Sequence, residues 1–103
     1  MPVRFEWDSA KAATNRRKHG VSFEIAMHVF ADPFALSQQV GTEGGEQRWQ
    51  TLGVAEGQVL LLVAHTVWEE AEDTSTLPIE VICIISARAA DRKERHRYEQ
   101  QNG

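Results

Sequence analysis

The stretch VLLLVAHTVW, residues 59–68, is apolar at both odd and even positions, and a second stretch, IEVICII, residues 79–85, repeats the pattern. Runs of this length and composition read as strands from the middle of a sheet with both faces covered. Residues 69–77 join them as an acidic, Ser/Thr-rich loop. Upstream, Glu46 to Val54 reads as a further strand, and Glu56-Gly57 falls where a hairpin turn belongs. Gly41, Gly44 and Gly45 mark a loose connection after a short strand at 35–39.

Further out, Val3 to Trp7 alternates as a short opening strand. Asp8 is placed to cap a helix over 9–18 that ends at His19-Gly20. Ser22 caps a second helix, in which Phe23, Ala26, Met27 and Phe30 recur at spacings of three and four until Asp32-Pro33 stops it. At the other end Ser86 is read as the cap of a last helix over 87–100. The predicted order is β-α-α-(β)-β-β-β-α: an α+β fold with a largely antiparallel sheet and helices packed against it. At 103 residues, 42% of them hydrophobic and 25% charged, the chain suits a single domain, 1–103. Its longest apolar run, 59–64, is far short of the ~20 residues that cross a bilayer. No secretory signal is visible at the N-terminus, so a cytoplasmic protein without membrane attachment is expected. Cys83 is the only cysteine. It excludes an internal disulfide and a thiolate cluster, and the four histidines lack metal-ligand spacing, so neither metal nor cofactor is expected.

The net charge of −4 is unevenly spread. Residues 1–30 carry five Lys/Arg against three acids, residues 31–85 carry Arg48 against nine acids, and residues 86–103 carry five bases against three acids. If the ends meet, they form a basic patch that the overall charge conceals. Lys11, Asn15 and Lys18 recur at i, i+4 and i+7 as a polar stripe able to face RNA, a partner protein or solvent. His19, after Arg16-Arg17-Lys18, either complements the negative helix end or joins that stripe. Arg88, Arg92 and Arg95 share one face of the expected last helix, which reads as a solvated face or as an anion-binding one. His65 is either a hydrogen-bonded core histidine or a site residue at the sheet surface. Arg48 either pairs with an acid or serves a site near the same sheet.

Three ordered blocks resemble the BrnT family of bacterial type II toxins: FEWDSAKAATNRRKHGVSFEIAMHVFADP (5–33), GEQRWQTLG (45–53) and IISARAADRKERHRYE (84–99). The resemblance implies a compact RelE-like fold and a metal-independent endoribonuclease that inhibits translation. It also implies a BrnA-type antitoxin, whose ribbon-helix-helix part binds operator DNA. The substrate implied is RNA, free or on the ribosome. In such chemistry the ribose 2′-OH attacks the adjacent phosphate and leaves a 2′,3′-cyclic end. Arg48, Arg88, Arg92 and Arg95 stand in the matched blocks and are expected to stabilise phosphoryl charge. His65, between blocks, is a candidate proton shuttle. Tyr98 would shuttle protons only with a lowered pKa and otherwise orients RNA by stacking. Lys11, Lys18 and His19 are the expected RNA-binding residues of the first helix. The chain departs from the family in the acidic stretch Glu69 to Asp73 and in Val81-Ile82-Cys83, where members often place an arginine. Those departures keep open a non-catalytic alternative, a toxin-fold co-repressor acting with its antitoxin.

Overall fold

A computed structural model describes residues 2–71 and 77–102. A five-stranded mixed sheet carries three helices. The elements are β1 (Val3–Glu6), α1 (Ser9–His19), α2 (Phe23–Ala26) running into a 3₁₀ turn (Met27–Ala31), β2 (Leu36–Glu43), β3 (Glu46–Ala55), β4 (Val59–Glu70), β5 (Ile79–Ala89) and α3 (Arg92–Asn102). The sheet order is β1-β5-β4-β3-β2, antiparallel except for the parallel β1–β5 pair. This is the predicted α+β order, with β4 and β5 central as their two-sided apolar character requires.

The caps act as expected. Asp8 accepts from the Ala10 and Lys11 N–H groups, Gly20 closes α1 in the left-handed region (φ 71°), and Ser22 accepts from Ile25 N–H. One face of the sheet buries Leu61, Val63, Ile82 and Ile84 against Phe23, Ala26 and Val29 of the helical segment. Gly53 is needed there, because a Cβ would lie 2.8 Å from Val29 Cγ1. The opposite face buries Leu52, Leu60 and Leu62 beneath Ala90 and Tyr98 at α3.

Four expectations are corrected. The loose connection at 41–45 is a tight hairpin. Glu43 pairs with Glu46 across Gly44-Gly45, whose φ values of 60° and 81° suit a two-residue turn. The short strand thus extends to Glu43. The last helix begins at Arg92, not 87, because β5 continues to Ala89 in register with β4, Leu62 opposite Arg88 and Leu61 opposite Ala89. Ser86 is a strand residue. Asp91 caps instead: its carboxylate accepts from Glu94 N–H and Glu94 accepts from Asp91 N–H, a reciprocal capping box. Arg88 therefore does not share a helix face with Arg92 and Arg95. Asn15 of the supposed polar stripe is buried. Of the loop expected at 69–77, Glu69 and Glu70 instead continue β4, paired with Glu80 and Ile79, and residues 72–76 lie outside the described residues.

Both long edges of the sheet are finished by side chains. β1 reaches only Glu80 to Cys83 of β5, and beyond it Asn15 from α1 bonds both backbone groups of Ala87. β2 begins opposite Leu52, and beyond it Asp32 Oδ2 takes the Val54 N–H at 2.8 Å.

Candidate nucleic-acid interface

α1 lies along the upper edge of β5, and between them opens a cleft of about 390 Å³. Lys11, Thr14, Lys18 and His19 form one wall, while Ile85 and Ser86 supply the floor. The three residues singled out for RNA therefore gather around one depression, all of them exposed. Asn15 holds this wall in place. Its Oδ1 accepts from Ala87 N–H (3.0 Å), and its Nδ2 donates to Ala87 C=O (2.8 Å) and Val21 C=O (3.0 Å).

Ser86 pairs with Ala64, which pairs with Gln50, and side chains two apart in a strand share a face. Arg48 thus lies on the same face as Ser86 and α3. It is half-buried, with Glu43 at 3.7 Å as its ion-pair partner and a buried Nε that has no hydrogen-bond partner among the described residues. On α3, Arg92, Lys93, Arg95, His96 and Glu99 line a second open depression of about 420 Å³. Among the described residues, neither Arg92 nor Arg95 makes an ion pair.

Arg88 and Tyr98 are placed differently. Arg88 makes a two-pronged ion pair with Glu94 at 2.8 and 2.9 Å, tying the end of β5 to the first turn of α3. The hydrogen bond from Arg88 holds the Glu94 carboxyl below its ordinary pKa, against its partial burial. The Tyr98 hydroxyl donates to Asp32 Oδ2 at 2.6 Å. Burial, then the bond to Asp32, pushes Tyr98 up to about 12, so it keeps its proton at neutral pH. Burial works against the Asp32 charge. Hydrogen bonds from Tyr98, Val54 and Phe34 outweigh it and hold that carboxyl below its usual value. No sequence spacing links Asp32 to Tyr98 or Glu94 to Arg88, so neither carboxylate is legible as a positioning residue from the chain alone.

His65 is on the other face, 3% exposed and edge-on to Phe30 at 4.8 Å between ring centroids. Its Nε2 lies 2.7 Å from Thr51 Oγ1, which is 2.8 Å from Ser37 Oγ. Of the two readings of this residue, the hydrogen-bonded core histidine matches the geometry. Burial pushes its pKa down from 6.5 to about 4, against a weak bond to Thr66 C=O. Below pH 6.5 the unfolded chain takes up a proton here that the folded chain refuses, so stability falls with pH from 6.5 to about 4. The expected loss is about 3 kcal/mol by pH 4, at roughly 1.4 kcal/mol per pH unit. Denaturant melts of the wild type and His65→Gln at pH 7 and pH 4 check this: the variant should lose less between the two conditions.

The described residues contain no group of three His, Cys, Asp or Glu side chains placed to hold a metal ion. No helix is long and apolar enough to cross a membrane. Fold and surface together define a small α+β protein that presents cations beside one face of its sheet. The family model described as ribonuclease toxin, BrnT, of type II toxin-antitoxin system matches residues 7–94, and the chain belongs to that family. A search of the curated proteins found no match. Among solved structures, the chain is similar to the crystal structure of the Brucella abortus ribonuclease toxin BrnT, with a TM-score of 0.55 and 20% identity. The match covers 89% of this chain and 100% of that one, a likeness of fold.

Proposed function

We propose that residues 1–103 act as one cytoplasmic unit, a metal-independent endoribonuclease whose cleavage of RNA inhibits translation. A BrnA-type ribbon-helix-helix antitoxin holds it inactive and carries the contact with operator DNA. The observation that carries this reading is the gathering of Lys11, Lys18 and His19 around a cleft floored by Ser86, on the face that also holds Arg48. Isolated cations suit phosphate oxygens, whereas clustered carboxylates suit metals.

In this reading Lys11 and Lys18 hold the phosphates flanking the scissile bond, and Arg48 adds positive charge across the sheet. Arg92 and Arg95 extend the path along α3. The 2′-oxygen forms a bond to phosphorus, the bond to the 5′-oxygen breaks, the 2′ proton leaves to a base and the 5′-oxygen gains one. His19 is the histidine lining the cleft, and it is the proposed proton carrier in place of the buried His65 and the proton-retaining Tyr98. Arg88 acts through Glu94 as a positioning residue.

Purified, antitoxin-free protein incubated with labelled RNA in EDTA tests the reading. Products with 2′,3′-cyclic ends are expected, reduced by His19→Ala and far less affected by His96→Ala. No cleavage, together with harmless expression in cells, would turn the reading to the non-catalytic co-repressor.

A further inference from the structure

The face of the sheet away from the cationic cleft is only partly covered by the helical segment. Below the 3₁₀ turn, two adjoining hollows of about 290 and 260 Å³ share Phe30, Glu80 and Ile82. Together they make a groove lined by Val3, Phe5, Phe30, Trp49 and Ile82, with Ser37 at one rim. Val3 is 47% exposed. The groove is small, of a size to take one or two apolar side chains of another molecule.

The charge at the groove says what kind. Glu80 lines both hollows, and its direct cross-strand partner on β4 is Glu69. Like charges directly opposite each other on a sheet repel. Among the described residues no cation pairs with either. A lysine or arginine set between them would relieve the repulsion, while apolar side chains beside it cover Phe30 and Trp49. An RNA strand is the wrong occupant, because its phosphates would meet two carboxylates.

We propose that this groove seats a segment of the antitoxin in which aliphatic or aromatic side chains are followed by a lysine or arginine that pairs with Glu80 and Glu69. The proposal rests on the chain's membership of a type II toxin–antitoxin family, not on the RNA site. The segment lies on the opposite face from Ser86, so it adds affinity without itself covering the cationic cleft.

The test measures binding of the antitoxin, by calorimetry, to the wild type, Glu80→Lys and Val3→Lys, each of which sets a cation where the antitoxin's own would sit. Melting and RNA cleavage are followed in parallel. Each variant is expected to bind at least 10-fold more weakly with cleavage retained, and Glu80→Lys should melt no lower than the wild type, since it removes a like-charge pair. Affinities within twofold of wild type overturn the proposal. So does a loss of RNA affinity in place of antitoxin affinity. Should Val3→Lys melt early, hydrogen exchange of the wild type decides: slowed exchange at 3–5 and 79–82 on antitoxin binding is expected, and slowing confined to α1 and α3 overturns it. A chain that binds antitoxin through this groove yet cleaves no RNA would sink the ribonuclease reading and leave this one standing.

Discussion

Asn15→Ala is expected to destabilise the fold by about 4 kcal/mol, since it strands buried backbone donors and acceptors at a cost of roughly 1–3 kcal/mol each. The carboxamide is 5% exposed and makes three hydrogen bonds, two of them to the N–H and C=O of Ala87. In effect it is a one-residue strand, pairing with β5 where β1 has ended. Its amide orientation follows from the partners, because the Ala87 N–H requires an oxygen and the two carbonyls require N–H groups. For a domain of this size the loss corresponds to a drop in Tm of about 20 °C. Asn15→Asp is expected to do no better, because it keeps the acceptor but turns a carboxylate oxygen toward two carbonyl oxygens. Thermal melts of both variants check this, and a loss under about 1 kcal/mol would mean that water replaces the side chain. The same bonds join α1 to the floor of the cationic cleft, so the stability of the fold and the alignment of the proposed RNA site share one residue.

That residue shows how sequence legibility divides. Spacing exposes what is local: the caps at Asp8, Gly20 and Ser22, the central strands and the element order all follow from neighbouring residues. It also places Lys11 and Lys18 two turns apart on α1, which is enough to put both beside one cleft. Asn15 sits between them in the same stripe, yet its partner is 72 positions away, and nothing local separates a buried carboxamide from an exposed one. Arg88 is misread for a related reason. Ala87, Ala89 and Ala90 favour a helix locally, but pairing of β5 with Val63, Leu62 and Leu61 of β4 extends the strand through Ala89. The helix then starts where Asp91 and Glu94 form a capping box, a signal present in the sequence and overshadowed by Ser86. His65 is harder still. Its neighbours set its face, but its burial depends on Phe30, and its hydrogen bond on Thr51, both far along the chain. The groove at Glu80 is in the same category, assembled from β1, β5 and the 3₁₀ turn.

Replacing both cleft lysines, Lys11→Ala with Lys18→Ala, is expected to lower kcat/KM for RNA cleavage by about 100-fold or more, the scale at which removing groups that stabilise transition-state charge acts. Both side chains are exposed, so the fold should be nearly unchanged, unlike the outcome for Asn15→Ala. A structural effect and a phosphate contact differ in salt dependence. Each lost contact to single-stranded RNA should flatten the slope of log K against log salt by about 0.7, so the double variant should lose about 1.4. Arg88→Ala should behave the other way. It breaks the tie to Glu94, lowers Tm and leaves the salt slope near that of the wild type. If the slope instead responds to Arg92→Ala and Arg95→Ala but not to the lysines, the RNA runs over the outer surface of α3 and the cleft is not its seat. If all four cations contribute, the strand crosses from α1 to α3 over Ser86 and Gln50, and its path matches the side of the sheet that the helical segment leaves open.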